Sequence, residues 1–252
     1  MNFLPATWFD HLDSTNRQLQ RLMVEKPDLP AGTVIAARRQ TAGRGRGQRI
    51  WLSTPGKDLT FSFLMQTESP KDYFPTLTLA TGLSIAKTLS DNLELPARLK
   101  WPNDVLLHKK KVCGILCESA GTTDRQRNAI VGIGLNVNMS DADTQKIDRP
   151  TTSLKRHTGH TVDVEETLIQ ILDGLEKTLH QWESEGFGSL KAQWLARCDD
   201  IGRQITLARP DGRSISGTFT DIGSHGEVQL TDPQGTSYSI LAGDMLLNSN
   251  RI

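Results

Sequence analysis

The sequence predicts an α+β fold with two domains: a mixed β-sheet flanked by helices over residues 1–200, and a small β domain over residues 201–252. Three observations support this prediction. Short runs of β-branched and aromatic residues, typical of strands, recur through the first 140 residues. Two long segments carry apolar residues at helical spacing. After Ile201, short β-like runs alternate with turn signals such as Asp232-Pro233-Gln234-Gly235.

The first 140 residues are predicted to form the sheet and two helices. One helix begins near Thr15, because Thr15 and Gln18 have the spacing of a capping box. Pro27 ends that helix. Residues 108–110 are expected to turn a hairpin. The other predicted elements in this part are strands at residues 8–12, 34–39, 59–65, 98–101 or 105–107, 111–118 and 129–139, and a helix at residues 74–93.

Two more helices are predicted before the β domain. Asp163 has the N-cap position of a long helix whose apolar stripe ends at Trp182. Gly186 ends this helix, and residues 190–198 form the next one. The β domain then has four predicted strands, enough for a small barrel or sandwich, at residues 204–208, 214–220, 227–230 and 237–241.

The composition disfavours several classes of protein. Among 252 residues, 29 basic side chains balance 29 acidic ones, so no net field attracts the chain to nucleic acid or to a membrane surface. The N-terminal residues lack a secretion signal, and no apolar run approaches the roughly 20 residues that span a bilayer. Cys113, Cys117 and Cys198 are too few for a disulfide scaffold and indicate a reducing compartment. We therefore expect a cytoplasmic protein without a membrane partner.

The most distinctive segment is residues 40–49, here called the glycine-arginine loop, which contains Gly43-Arg44-Gly45-Arg46-Gly47-Gln48-Arg49. Alternating glycines let backbone N–H groups approach a ligand closely, and arginines match phosphate or carboxylate oxygens. The segment lacks the features of a Walker loop or a dinucleotide fingerprint. A solvated surface loop could have the same composition, but the position directly after a strand favours a ligand site.

Two segments near residue 105 contain further candidate site residues. Lys100-Trp101-Pro102-Asn103-Asp104 has a rigid turn that suits the rim of a pocket, although a simple turn before a strand explains it as well. Lys111 opens a strand that Gly114 interrupts, and a glycine inside a strand often marks the close approach of a ligand or of another backbone. These segments therefore supply a second part of the candidate site.

The strand at residues 129–139 carries a strip of small and polar residues. Gly132, Gly134, Asn136 and Asn138 are two residues apart and therefore share one face. Packing alone explains such a strip poorly on a buried strand, although a close contact between a helix and the strand is an alternative. The strip predicts the floor of a pocket.

Together, these motifs resemble those of the biotin protein ligases, the family of biotin–acetyl-CoA-carboxylase ligases and holocarboxylase synthetases. The resemblance implies a class II synthetase-like sheet with an SH3-like C-terminal barrel. Some family members carry an N-terminal winged-helix domain that binds DNA, for which this chain has no room, so we expect no operator binding. The motifs fall in the family's order, as Ser14-Thr15-Asn16, Gln40-Thr41-Ala42-Gly43-Arg44-Gly45-Arg46, Lys100-Trp101-Pro102-Asn103-Asp104, Lys111-Val112-Cys113-Gly114-Ile115-Leu116 and Gly132-Ile133-Gly134-Leu135-Asn136.

The resemblance implies an ATP-dependent, two-step reaction that requires Mg²⁺. Biotin and ATP give biotinyl-5′-AMP and pyrophosphate, and a lysine of the biotin carboxyl carrier domain of acetyl-CoA carboxylase then takes the biotin. The implied catalytic residues are Lys111, Arg46 and Asp104, the last of which is also the candidate Mg²⁺ ligand. The implied biotin-binding residues are Ser14, Thr15, Gln40, Gly43, Arg44, Lys111, Gly114 and Gly132. The implied ATP- or adenylate-binding residues are Arg44, Arg46, Lys100, Asn103, Lys111 and Asn136.

The glycine-arginine loop departs from the family's frequent Gly-Arg-Gly-Arg-Arg-Gly-Arg pattern. Gly47-Gln48 occupies the fifth and sixth positions, so Arg44 and Arg46 are stronger candidates than Arg49. We expect this loop to be mobile without ligand and to order over the adenylate, where it excludes water.

Two other functions remain open: a lipoate or octanoate–protein ligase, and a nucleic-acid-binding module. The polar set Ser14, Thr15 and Gln40 suits the ureido ring of biotin better than an apolar dithiolane. The balanced charge disfavours nucleic acid. A homodimer is compatible with the exposed strand edges of such a fold.

Overall fold

Two β-sheets organise the chain in the computed structural model, which describes residues 1–122, 127–209 and 211–246. The strands of the first sheet are β1 (Thr7–Phe9), β2 (Val34–Ala37), β3 (Leu59–Thr67), β4 (Arg98–Lys100), β5 (Asp104–Leu107), β6 (Lys110–Thr122) and β7 (Arg127–Leu135). Their spatial order is β1-β2-β3-β7-β6-β5-β4. Strands β1 and β2 run parallel and the other neighbours antiparallel, so the predicted mixed sheet is confirmed.

Helices cover both faces of this sheet, as the sequence predicts. The helices are α1 (Thr15–Glu25), α2 (Phe74–Leu93), α3 (Asp141–Thr144), α4 (Leu154–Thr158), α5 (Val164–Glu185) and α6 (Gly188–Leu195). Leu19 of α1 is buried against Ile35, Leu64 and Ile130 on one face. Phe63 points to the other face, where α2 packs against α5 and the sheet. The central strands β3 and β7 are accordingly buried at nearly every position.

The start of α1 differs from the prediction. Ser14, not Thr15, is the N-cap residue, and its side chain makes no capping hydrogen bond. Thr15 is already helical, and its hydroxyl lies 3.3 Å from Gln40 Oε1 and 2.6 Å from Ser62 Oγ. The capping-box interpretation is therefore wrong, because tertiary hydrogen bonds engage the threonine.

Several predicted boundaries shift. Both candidate strands near residue 100 form, as β4 and β5, and residues His108 and Lys109 turn the hairpin to β6 with positive φ values of 46° and 63°. Helix α6 ends at Leu195 rather than at residue 198. Strand β7 ends at Leu135, so the two asparagines of the polar strip follow the strand instead of continuing it.

The second sheet is antiparallel, as expected for a small barrel-like module. Its strands are β8 (Gln204–Ala208), β9 (Ser214–Ile222), β10 (Val228–Thr231), β11 (Ser237–Ile240) and β12 (Asp244–Met245), in the order β11-β10-β9-β8-β12. The four predicted strands are confirmed, whereas β12 was not predicted because two residues carry no periodic signal. Residues 247–252 of the predicted β domain lie outside the described residues.

The two sheets share one apolar core. Phe219 and Val228 of the second sheet belong to the same buried cluster as Leu190 of α6. The buried Trp101 Nε1 donates a hydrogen bond of 2.9 Å to the Gly226 carbonyl oxygen. The turn that precedes β5 is thereby fixed to the second sheet.

Within the described ranges, every helix falls short of the length or the apolar character that crossing a lipid bilayer requires.

Candidate active site

A cavity of about 540 Å³ opens where the start of α1, the glycine-arginine loop, β6 and β7 meet. Ten of the thirteen residues implied by the family resemblance line it, namely Ser14, Thr15, Gln40, Arg44, Arg46, Asn103, Lys111, Gly114, Gly132 and Asn136. Gly43 does not line it. Lys100 and Asp104 line a neighbouring cavity of about 850 Å³. Lys111 and Asn103 line both cavities, which therefore adjoin each other.

A polar hydrogen-bond network surrounds one end of the cavity. Gln40 Oε1 accepts a 2.8 Å hydrogen bond from the Thr15 backbone N–H. Ser62 Oγ lies 2.6 Å from Thr15 Oγ1 and 2.5 Å from Asn16 Oδ1. Asn16 Nδ2 donates to Glu118 Oε2 at 2.7 Å. Sequence reasoning missed Asn16, Ser62 and Glu118 as site residues, although Asn16 lies inside the first family motif.

Gly132 provides the space for this network. A Cβ atom at Gly132 would lie 2.1 Å from Asn16 Oδ1, far inside van der Waals contact. The strand must therefore carry glycine here, so that the carboxamide can lie flat on it. Asn16 therefore occupies the room beside Gly132, a residue that the family resemblance implies in biotin binding.

The glycine-arginine loop is folded as a small hairpin. Arg44 forms a β-bridge with Ile50, and Gly45 N–H donates to the Arg49 carbonyl oxygen at 2.8 Å. Gly47 turns the chain with φ +63°. Trp51 N–H then donates to the Gly43 carbonyl oxygen at 3.0 Å, which closes the base of the loop.

The loop arginines have acidic partners on two different elements. Arg44 Nη2 lies 3.0 Å from Glu118 Oε1 of β6. Arg46 and Arg49 both pair with Asp244 of β12, and Arg46 also reaches the Gly243 carbonyl oxygen. Burial lowers the pKa of Arg46, and Asp244 opposes this shift. The second sheet thus holds the loop over the cavity.

We predict that Asp244→Asn loosens the loop. The substitution removes the negative charge that Arg46 and Arg49 share, so trypsin should cleave the loop faster than in the unmodified protein. Asp211→Asn is the matched control, because it removes a carboxylate from an exposed turn of the same sheet. Equal cleavage rates in the two variants would contradict a latching role for Asp244.

Trp51 is the largest site residue that the sequence interpretation missed. Gly114 and Gly134 are direct partners in the register of β6 and β7. Added Cβ atoms there would lie 2.9 Å and 2.2 Å from the Trp51 ring, so the two glycines form the flat surface on which the indole lies. Lys111 Nζ lies 5.5 Å from the ring centroid, within cation–π range. The space predicted at Gly114 is thus taken by Trp51 and Lys111 side chains.

Lys111 lies between the two cavities. Its Nζ is 2.5 Å from Asp104 Oδ1, and its side chain is only 15% exposed. Its backbone N–H donates to the Pro150 carbonyl oxygen at 2.9 Å, and its carbonyl oxygen accepts from Thr152 N–H at 2.9 Å. The ammonium group is therefore well positioned to meet an anion at the junction.

Asn136 presents an unused acceptor to the cavity. Its Nδ2 donates to the Thr152 carbonyl oxygen at 3.0 Å, whereas its buried Oδ1 has no hydrogen-bond partner within the described ranges. A buried acceptor without a partner is costly, so a ligand that donates a hydrogen bond would satisfy it. Asn138 was predicted on the same pocket floor, but this prediction is wrong, because both ends of its carboxamide bind the Val162 backbone.

The three cysteines do not line either cavity. Burial raises the pKa of the Cys113 thiol, and burial raises that of Cys117 to about 12, so both remain protonated near neutral pH. Cys198 is buried as well, and burial raises its thiol pKa to about 12. Their placement is that of small structural side chains.

Asp58 anchors the segment that follows the loop. Its carboxylate accepts hydrogen bonds from Thr54 N–H at 2.7 Å and from Val137 N–H at 3.1 Å. Burial raises the pKa of Asp58 to about 6 despite these bonds. Between pH 3.8 and about 6, the folded protein therefore keeps a proton on Asp58 that the unfolded chain has released.

We predict that this carboxyl group makes the protein less stable as the pH rises from about 4 through about 6. A raised folded-state pKa favours folding below the unfolded pKa, and the advantage, up to about 3 kcal/mol, is lost through the folded pKa. Urea unfolding of the unmodified protein and of Asp58→Asn measures this directly. The difference in free energy of unfolding between them should change across the window, and a constant difference would contradict the assignment.

Comparison with known proteins identifies a family and several relatives that this chain resembles. Residues 8–136 match the model of the biotin/lipoate A/B protein ligase family. A biotin–[acetyl-CoA-carboxylase] ligase from Paracoccus denitrificans is 33% identical over 228 residues, covering 88% of this chain and 92% of that relative. The bifunctional ligase/repressor BirA of Bacillus subtilis is 32% identical over 213 residues, covering 84% of this chain.

This chain is also similar to a solved structure of a biotin protein ligase. The biotin protein ligase from Aquifex aeolicus in complex with biotin and ATP superposes with a TM-score of 0.81 at 31% identity, covering 97% of this chain and 98% of that one. The chain therefore belongs to the biotin/lipoate A/B protein ligase family. It spans 63% of the length of its BirA relatives from two Bacillus species.

Proposed function

We propose that the protein is an ATP-dependent biotin–protein ligase. It forms biotinyl-5′-AMP from biotin and ATP and then transfers biotin to a lysine of a biotin carboxyl carrier domain. The observation that carries the proposal is the cavity itself, which has a polar end, a cationic loop and Lys111 between them. Such a layout suits a long molecule with a polar head and a carboxylate that must meet a phosphate.

Adenylation brings two anions together, so the site must neutralise their repulsion. We place the ureido head of biotin at Ser14, Thr15 and Gln40, and its carboxylate at Lys111. A carboxylate oxygen attacks the α-phosphorus of ATP and pyrophosphate leaves. Lys111 and Arg46 stabilise the negative charge that develops on the phosphoryl oxygens.

The remaining predicted residues have corresponding roles in this proposal. Arg44 and the Gly43 backbone cover the junction between biotin and the nucleotide. Asn136 Oδ1 accepts a hydrogen bond from the exocyclic amine of adenine, since its acceptor is otherwise unused. Lys100 and Asn103 face the phosphates from the rim of the neighbouring cavity.

Magnesium is proposed to arrive with ATP. Within the described ranges, no cluster of three His, Cys, Asp or Glu side chains could hold a metal. Magnesium commonly takes one or two carboxylates together with substrate phosphates. Asp104 fits this pattern as a single carboxylate, although its Oδ1 is already paired with Lys111. Its alternative role is to orient the amine of the acceptor lysine in the second step.

Calorimetry with biotin, and with biotin plus Mg-ATP, tests the substrate assignment. Biotin should bind alone, and lipoate should bind much more weakly, because an apolar dithiolane leaves the polar end of the cavity unsatisfied. The family also contains lipoate ligases, so this comparison decides between two members of it. Tighter binding of lipoate would contradict the proposal.

The proposal extends to partners and location. The acceptor is a carboxyl carrier domain of acetyl-CoA carboxylase, as the name of the Paracoccus relative states for that protein. The balanced charge supports the absence of DNA binding, and sequence-specific retention of DNA on a filter at moderate salt would contradict it. Free cysteines support a cytoplasmic location.

Residues 1–200 are proposed as the catalytic domain and residues 201–252 as the SH3-like domain. A homodimer is compatible with the exposed strand edges of this fold.

A further inference from the structure

A short segment at residues 150–154, here called the strap, hydrogen-bonds to the backbone of Lys111. Lys111 N–H donates to the Pro150 carbonyl oxygen and Thr152 N–H donates to the Lys111 carbonyl oxygen, both at 2.9 Å. The strap therefore pairs with the first residues of β6 like an added piece of strand. The position of the Lys111 main chain depends on it.

The same strap fixes Asn136. The Thr152 carbonyl oxygen accepts from Asn136 Nδ2 at 3.0 Å, and Leu154 N–H donates to the Asn136 carbonyl oxygen at 3.0 Å. These bonds determine which end of the carboxamide faces the cavity. Thr152 thus contacts both Lys111 and Asn136, and both of these residues line the cavity.

A pair of histidines holds the strap from outside. Thr152 Oγ1 lies 2.9 Å from His157 Nε2, and His157 belongs to α4. The His157 ring stacks on His108, with centroids 4.9 Å apart and planes 13° apart. His108 lies in the β5–β6 turn, three residues before Lys111. The stacked pair therefore connects α4 to the hairpin that carries Lys111.

The electrostatic surroundings of the pair are cationic. His157 faces His108 and Lys110 of the hairpin and Arg156 of its own helix, and Arg156 is paired with Asp141. Burial and these positive neighbours lower the pKa of His157. Protonating both rings would place two like charges 4.9 Å apart beside a lysine and an arginine.

We propose that His157 is a positioning residue for nucleotide binding, and that its stack on His108 opens when both rings are charged. This inference rests on the proposed function, in which Asn136 receives the adenine of ATP, whereas the ureido head of biotin lies at the polar end of the cavity. When the stack opens, Thr152 loses its outer support and the strap no longer fixes Asn136. Affinity for the nucleotide should then fall on the acid side, while the polar end of the cavity is unaffected.

Three variants test the proposal. His157→Phe keeps an aromatic ring but removes Nε2, His157→Gln restores a polar group near that position, and His108→Phe keeps a stacked ring without its charge. Biotin-dependent pyrophosphate release gives KM for ATP and for biotin between pH 5.5 and 7.5. Calorimetry with the β,γ-imido analogue of ATP measures nucleotide binding without the reaction.

The variants should change KM for ATP more than KM for biotin or kcat. In His157→Phe, KM for ATP should rise about fivefold with kcat and KM for biotin little changed, which corresponds to one lost hydrogen bond. His157→Gln should recover most of this loss. In the unmodified protein, KM for ATP should rise several-fold toward pH 5.5, and His108→Phe should flatten that rise.

An active His157→Phe protein with the unmodified KM for ATP and pH profile would overturn the inference and leave the proposed function intact. Equal losses for ATP and biotin, or a glutamine variant as weak as the phenylalanine variant, would overturn it too. Absence of biotin-dependent pyrophosphate release from the unmodified protein is a failure of the proposed function. Calorimetry then still decides whether His157 affects binding of the nucleotide analogue.

Discussion

Lys111→Ala should reduce biotin-dependent pyrophosphate release by about two to three orders of magnitude, the usual effect of removing one preorganised charge from the transition state. Three cationic side chains line both cavities, Lys111, Arg49 and Arg149, and Lys111 is the least exposed of them. Its Nζ therefore lies where a carboxylate must approach a phosphate. Without it, the repulsion between the two anions is opposed mainly by Arg44 and Arg46. The loss should appear in kcat, since the ammonium acts most strongly on charge that develops during the reaction.

The fold of this variant should survive. The hydrogen bonds of Lys111 with Pro150 and Thr152 are made by its backbone and remain after truncation. Asp104 loses its partner, and its buried Oδ1 is then hydrated through the space that the truncated side chain leaves between the two cavities. Lys177→Ala, which removes an exposed lysine from α5, is the control and should behave like the unmodified protein. Pyrophosphate release within threefold of the control would remove Lys111 from the proposed chemistry.

Gly132→Ala should weaken biotin binding by about 10- to 100-fold, because a new Cβ atom displaces a buried polar network. The added atom would lie 2.1 Å from Asn16 Oδ1, so the carboxamide must move. Asn16 then loses its contacts with Ser62 and Glu118, and the hydrogen-bond network at the polar end of the cavity is disrupted. Calorimetric titration with biotin measures the affinity.

Gly188→Ala provides the matched control for this substitution. A Cβ atom at Gly188 meets nothing within 4 Å, and the residue begins α6 away from the cavity. Its biotin affinity should equal that of the unmodified protein. If Gly132→Ala also binds biotin normally, the polar network around Asn16 is not the biotin end of the cavity.

Local patterns were sufficient to predict the longer helices and most of the strands, but not the short elements α3, α4 and β12. The helix predicted at residues 74–93 is observed as Phe74–Leu93, because its apolar spacing and an early proline fix both its phase and its start. The turn at residues 108–110 and the capping of α5 by Asp163 are likewise local, and both are confirmed. Such features depend only on residues that are close to each other in the sequence.

The missed site residues depend on contacts between distant parts of the chain. Trp51 lies on Gly114 and Gly134 only because β6 and β7 pair in a register that puts the two glycines opposite each other. Asp244 reaches the glycine-arginine loop from a two-residue strand almost two hundred positions away. Neither relation leaves a periodic signal in the sequence. The same limit explains why Thr15 was misread as a cap, since its partners are tertiary.

The cationic side chains of the site are paired with carboxylates. Cationic side chains gather at the loop and at Lys111, and each has a nearby carboxylate, with Glu118 at Arg44, Asp244 at Arg46 and Asp104 at Lys111. An incoming phosphate must compete with these carboxylates, which keeps the cations positioned without ligand. That the glycine-arginine loop is mobile without ligand and orders over the adenylate stays a prediction, and formation of the adenylate would require the loop to exchange these contacts.

Mass spectrometry of the reaction without any acceptor protein tests the central claim most directly. Purified protein incubated with biotin and Mg-ATP should yield biotinyl-5′-AMP and an equal amount of pyrophosphate, and omission of biotin should abolish both. Biotin binding without any biotin-dependent acyl-nucleotide under these conditions would contradict the claim that this cavity joins the two anions.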